Sequence, residues 1–179
     1  MNEYKYDVYR YYGRYNETLK EKLFRPIGLK YIRIYRLANS SNNVIFKSYY
    51  RFKLYMLSKK TCIQIPSHTK IGRGFYIGHS GSLVINPKAV LGKNINITNG
   101  VTIGQENRGK RKGYPTIGDD VWIGTNSVIV GNIKIGNDVL IAPLSYVNFD
   151  VPDHSIVIGN PAKIIQRDNA TDSYINRRI

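Results

Sequence analysis

From Ile65 onward an aliphatic side chain recurs at every sixth position: Ile65, Ile71 and Ile77, then Ile85, Leu91, Ile97 and Ile103, then Ile117, Ile123, Ile129, Ile135, Ile141 and Val147. Glycine follows seven of these thirteen beats and asparagine two, and both residues accept a positive φ, so corners are expected directly after the beat. Four positions after the beat comes a small or apolar residue, as in Ala89, Val101, Val121, Ser127, Val139 and Ser145, suited to a narrow interior. Strand formers and corner residues at a period of six predict an all-β solenoid, a parallel β-helix with three short faces per coil. The count slips twice. In IGHSGSLVIN, residues 77–86, two extra residues separate the beats, and eight extra separate Ile103 from Ile117.

Residues 1–60 follow another pattern. DVYRYYGRYNETLKEKLF and VIFKSYYRFKLYMLSKK mix apolar, aromatic and basic side chains as amphipathic helices do, with Gly28 and ANSSNN expected as breaks. The division expected is a basic, tyrosine-rich helical region over 1–60, a β-helix over 61–166 with an extruded loop at 104–116, and a short C-terminal helix or tail over 167–179. Two readings of the front stay open: a cap whose tyrosines pack on the solenoid, or an interfacial surface for anionic headgroups.

Charge changes the picture only partly. The 179 residues carry a formal +15, and residues 1–60 hold 14 Lys and Arg against 4 acids. Such a balance attracts phosphates, acidic glycans or an anionic membrane surface without choosing among them. No run of about 18 apolar residues occurs, and the first residues lack the apolar core of a signal peptide. The expected location is cytoplasmic, with peripheral association at the inner face of the membrane. The single cysteine, Cys62, is expected to be a small buried hydrophobe.

Both interruptions carry chemistry. His79 lies in the first, among the small residues Gly78, Ser80, Gly81 and Ser82, which leave room for a substrate. The second, GQENRGKRKGYPT, is glycine-rich, basic and closed by proline, as a loop that leaves the coil and returns in register should be. His68 lies inside a regular hexad and His154 in the VPDH turn, so neither is singled out.

The beats, with VTIGQ at 101–105, PTIGDDVWIG at 115–124, GNIKIG at 131–136 and DVPDHSIVIGNPAKII at 150–165, resemble the hexapeptide-repeat acyltransferases. More narrowly they are similar to serine acetyltransferases and to relatives that O-acetylate capsular and exopolysaccharide sugars. The resemblance implies a left-handed β-helix, a hand the residues themselves do not set. It also implies a homotrimer with sites between subunits, and acetyl-CoA as donor and co-substrate, with no metal. The family's catalytic histidine falls on His79, and imidazole suits proton removal from an attacking hydroxyl near neutral pH.

Along the chain the resemblance places the CoA arm at Gly104, Gln105, Gly124, Thr125, Ala142 and Pro143, where backbone amides are expected to be accessible, and its phosphates at Lys163 and Arg167. Gln64 replaces the aspartate that orients the family's histidine, Gly78 an acidic residue, and Gly113 and Tyr114 an Arg-His pair. Those departures argue for a sugar hydroxyl of a surface polysaccharide or its precursor over serine, with Gln64, Tyr114, Lys110, Arg111 and Lys112 as acceptor-binding residues. Sugar N-acetylation and serine O-acetylation are the alternatives within the fold. A metal hydratase needs three converging histidines, and a nucleic-acid-binding protein explains the charge but neither the loop nor the histidine bulge.

Overall fold

The computed structural model describes residues 3–179. Among these, the helices are α1 (Tyr4–Tyr12), α2 (Leu19–Leu23), α3 (Ile27–Ser40) and α4 (Val44–Thr61). The coils then supply β1 (Ile63–Gln64), β2 (Lys70–Ile71), β3 (Tyr76–Ile77), β4 (Leu83–Ile85), β5 (Val90–Leu91), β6 (Asn96–Ile97), β7 (Thr102–Gly104) and β8 (Thr116–Ile117). After them come β9 (Val121–Ile123), β10 (Val128–Val130), β11 (Lys134–Ile135), β12 (Val139–Ile141), β13 (Tyr146–Val147), β14 (Ser155–Gly159) and β15 (Ala162–Gln166).

Three sheets form the faces of a prism. The first is β1-β4-β7-β10-β13, the second β2-β5-β8-β11, and the third β3-β6-β9-β12-β14, which β15 ends as an antiparallel partner of β14. Register measures the coils: Val128 pairs with Tyr146, eighteen residues on, whereas Ile63 pairs with Leu83, twenty on, and Val90 with Thr116, twenty-six on. The extra residues are therefore expelled at corners, since the strands before and after each insertion stay paired in register with the neighbouring coils.

All thirteen beat residues are buried, as are the small residues four positions later. Each fully buried aliphatic side chain contributes about 1.5–3 kcal/mol of transfer free energy. The corners differ from the sequence expectation. Positive φ occurs three residues after the beat, at Gly74, Asn94, Asp120 and Asp138 along one edge, and at none of the glycines directly after a beat. Those glycines serve close approach instead: a Cβ on Gly72 would lie 2.5 Å from the carbonyl oxygen of Gly92 in the next coil.

Gly28 is not a break. It lies in α3, whose face Gly28, Tyr31, Ile32, Tyr35 and Ala38 is buried at helical spacing. A Cβ there would sit 2.5 Å from Ile77 O, so glycine lets α3 press against β3. The first predicted helix ends earlier than its pattern suggests, at Gly13, which takes a left-handed cap with φ 71°. Cys62 is exposed rather than buried, because it caps α4 in the left-handed region at φ 58° and its side chain points away from the packed face.

The tail, 167–179, forms turns and no helix, and runs back along the third face. Asp138 anchors it, accepting hydrogen bonds from Ala170 N and from Thr171 N and Oγ1. Further along, the Tyr174 ring meets Trp122 edge-on at 4.9 Å, and Ile179 N donates to Asn94 Oδ1. His154 Nδ1 lies 2.9 Å from Asp138 Oδ2.

Hydrogen bonding to Asp138 raises the pKa of His154. Burial alone would raise Asp138, but the hydrogen bonds from Thr171, His154 and the tail backbone outweigh it and hold the carboxylate low. The histidine's contribution is complete below its unfolded pKa of about 6.5 and fades as pH rises through the higher folded value. The aspartate's is complete above about 3.9 and fades as pH falls through its lower folded value. Tail anchoring is thus firmest in weakly acidic solution. In an NMR titration His154 should ionise above about 6.5, and Asp138→Asn should return it toward that value; a wild-type midpoint at or below it contradicts the pairing.

Candidate active site

His79 leaves the prism between β3 and β4, at the corner joining the third face to the first. Its side chain is exposed and has no hydrogen-bond partner among the described residues. The strand before it is held firmly. Tyr11 Oη donates to Ile77 O at 2.8 Å and accepts from Ile77 N at 3.1 Å, while its ring lies 4.3 Å from that of Tyr76. Gly78 N then donates to Ile97 O at 2.9 Å. Gly81 closes the bulge at φ 141°, a conformation that favours glycine. The result is a fixed approach and an open imidazole.

Successive coils continue this corner as a column. Gly100 N donates to Ser82 O, Asn126 N to Asn99 O and Leu144 N to Thr125 O, so the bulge, Asn99, Thr125 and Pro143 stack on one edge. Gly124 admits only a hydrogen, since a Cβ would lie 2.6 Å from Pro143 N. The turn after β14 completes the column, with Gly159 N donating to Ser145 Oγ and Lys163 exposed just beyond. Of the CoA-binding residues expected from sequence, Gly124, Thr125, Ala142, Pro143 and Lys163 therefore share the edge of His79. Arg167 does not: its N–H bonds His154 O at the other end of the hairpin. Nor are the amides of Gly124 and Ala142 accessible, because they donate to Ile141 O and Val157 O.

Gln64 and Gly104 lie elsewhere. They border a groove of about 790 Å3 between α4 and the corner that joins the first face to the second, with Arg51, Tyr55, Lys59 and His68 around them. No carboxylate lines it. The long loop folds as a small hairpin, Glu106 and Gly113 exchanging backbone hydrogen bonds at 3.0 Å, and is pinned to the next coil by Asn132 N to Arg111 O at 2.8 Å. Gln105 stays at its root, donating to Asn107 Oδ1. Lys110, Arg111 and Lys112 are exposed, and Lys110 and Arg111 border a smaller depression of about 300 Å3 with Glu106, Val130 and Asn148 rather than the groove. Tyr114 is half-buried and does not line the groove, with Lys88 Nζ 5.0 Å from the ring centre.

Sequence reasoning missed Tyr11 and Asn99. Tyr11 bonds a strand 66 residues away, and no local pattern announces that. Asn99 was legible in principle, because it occupies in its coil the place that Thr125 holds in the next.

The family described as "Bacterial transferase hexapeptide (six repeats)" matches residues 114–148. Serine acetyltransferase of Bacillus pumilus is 34% identical over 146 residues, covering 77% of this chain and 64% of the relative. Its counterpart in Helicobacter pylori is 33% identical over 141 residues, covering 79% and 82%. The chain thus spans less than two thirds of the first of these relatives and most of the second. Among solved structures, Neisseria gonorrhoeae serine acetyltransferase in complex with serine aligns with a TM-score of 0.75 at 32% identity, over 91% of this chain and 67% of that one. Brucella abortus serine acetyltransferase in complex with coenzyme A gives 0.72 at 28% identity, over 93% and 66%.

Proposed function

This chain belongs to the left-handed β-helix, hexapeptide-repeat acyltransferases, in their serine acetyltransferase-like branch, and from that premise we propose that it transfers acetyl from acetyl-CoA to a hydroxyl oxygen. The observation that carries the proposal is the column of corners that begins at His79 and ends at Lys163. Coils stack about 4.8 Å apart, so the four steps from β3 to β14 span roughly 19 Å. That length suits an extended pantetheine arm, with the thioester at His79 and the phosphates at Lys163. His79 takes the hydroxyl proton as the oxygen attacks the thioester carbonyl, and the CoA thiolate leaves as the tetrahedral intermediate collapses. Residues 77–79 supply the base on a strand already fixed by Tyr11, so little ordering remains for the moment of reaction.

Gln64 and His79 occupy different corners of one chain. A homotrimer in which one copy's first-to-second corner faces the neighbour's third-to-first corner brings them together, and the split of the expected site residues into two groups supports that assembly. Gln64 then fixes the tautomer of His79 as a neutral partner, with less stabilisation of the imidazolium than an aspartate provides.

For the acceptor, the relatives favour serine, since the proteins matched carry that activity in their names. A second reading, a sugar hydroxyl, is favoured by one observation: the groove around Gln64 has basic and neutral polar groups but no carboxylate to hold an ammonium. Comparison lends no support to a capsular polysaccharide in particular. Initial rates of CoA release with serine and with hexose or uronic-acid acceptors separate the readings. A kcat/KM for serine at least about a hundredfold above the sugars establishes the first, as expected where a site binds both charged ends of its substrate. The reverse order establishes the second. Absence of acetyl transfer to any hydroxyl in this panel contradicts the proposed reaction.

A further inference from the structure

Helix α4 has two apolar stripes. Tyr50, Leu54 and Leu57 face α3 and the core. On the opposite side Ile45, Tyr49, Phe52 and Met56 follow at spacings of four, three and four, which places them on one line along the helix. They are 78%, 49%, 63% and 52% exposed, and nothing among the described residues covers them. Lys53 and Lys60 flank this line on one side, and Lys59 on the other, at the angles that 3.6 residues per turn dictates. Eighteen residues give a helix about 27 Å long, too polar to cross a membrane.

Charge decides what fits there. From Lys22 to Lys93 the chain has 14 Lys and Arg, and no acid occurs between Glu21 and Glu106. Pairing this face with a second copy of itself would set like charges against each other at the rim of the contact. An anionic lipid surface answers both features at once: acyl chains take the aromatic line, and headgroup phosphates take the flanking lysines, whose stems reach outward from the buried line.

We propose that α4 docks the protein in the plane of an anionic bilayer, with Ile45, Tyr49, Phe52 and Met56 inserted at the headgroup boundary. The groove holding Gln64 borders the same helix through Arg51, Tyr55 and Lys59, so docking brings the groove to the membrane surface. The proposal does not depend on the acceptor or on the reaction.

Flotation of the full-length protein with phosphatidylcholine vesicles, with and without about 30% phosphatidylglycerol, tests it. The protein should float with the anionic vesicles, and the bound fraction should fall at least about tenfold in Phe52→Ser/Met56→Ser and in Lys53→Glu/Lys60→Glu. Acetyl transfer to a soluble acceptor and molar mass in solution should stay unchanged in both variants. Equal partition to neutral and anionic vesicles, or none to either, overturns the proposal. So does a change of oligomeric state in Phe52→Ser/Met56→Ser, which assigns the face to a subunit contact.

Discussion

Replacing His79 with alanine lowers acetyl transfer by about 10²–10⁴-fold, the range that a positioned general base contributes. The loss falls on kcat more than on KM, because the imidazole acts on the proton in transit rather than on the ground-state substrate. Folding is untouched. His79 is exposed, it has no hydrogen-bond partner among the described residues, and the bulge it occupies is closed by Gly81 and by the Gly100 to Ser82 backbone bond, neither of which uses the imidazole. Circular dichroism and the thermal midpoint of the variant should therefore match the parent, so that lost activity reports chemistry and not unfolding.

Replacing Arg36 with alanine has the largest expected effect on stability. Arg36 is 5% exposed and holds Asp7, itself wholly buried, through Nε at 2.8 Å and Nη2 at 3.1 Å. The same guanidinium donates to Ile71 O at 2.7 Å and Gly72 O at 2.6 Å, and Asp7 Oδ1 accepts from Phe75 N at 2.8 Å. One ion pair thus joins α1 and α3 to the backbone of residues 71–75, just before the strand that leads to His79. Removing the arginine strands a carboxylate and two carbonyls in the interior, which costs about 3–5 kcal/mol. Against a total stability of about 5–15 kcal/mol that is a large share. Urea unfolding measures it, and a loss under about 1 kcal/mol contradicts the role given to the pair. The double variant Arg36→Met/Asp7→Leu should be less damaging than Arg36→Ala alone, because it leaves no uncompensated buried charge, Glu3, the arginine's other carboxylate partner, being exposed.

The β-helix was legible because its interior admits one kind of side chain at one spacing, so the isoleucine ladder records the coil length directly. Each slip in the ladder is a corner insertion seen again in the register of Ile63 with Leu83 and of Val90 with Thr116. Corner geometry was less legible. Glycine serves both positive φ and close approach, and the pattern alone does not separate the two uses; at Gly72 the neighbouring coil decides. Helix α3 was obscured by Gly28, which reads as a breaker until its contact with Ile77 is seen.

The site shows the same division. His79 announced itself by breaking the count, and Thr125, Ala142 and Pro143 fall on its edge because whole coils preserve the corner. The assignment of Gln64 beside His79 came from resemblance alone, and one chain places the two at separate corners. The helical front was expected to be a cap or a membrane surface. Its buried side caps the solenoid through Tyr11, Tyr31, Tyr35 and Arg36, and the outward line on α4 is what the sequence pattern blurred, since two apolar stripes on one helix weaken its apparent amphipathicity.

The measurement that bears most directly on His79 as the base is the rate of CoA release from acetyl-CoA at saturating acceptor, read for the parent and for His79→Ala with matched folding. A fall of at least about a hundredfold in kcat, with acetyl-CoA binding retained, is the expected result. A variant within about tenfold of the parent contradicts it and moves the proton transfer to another group.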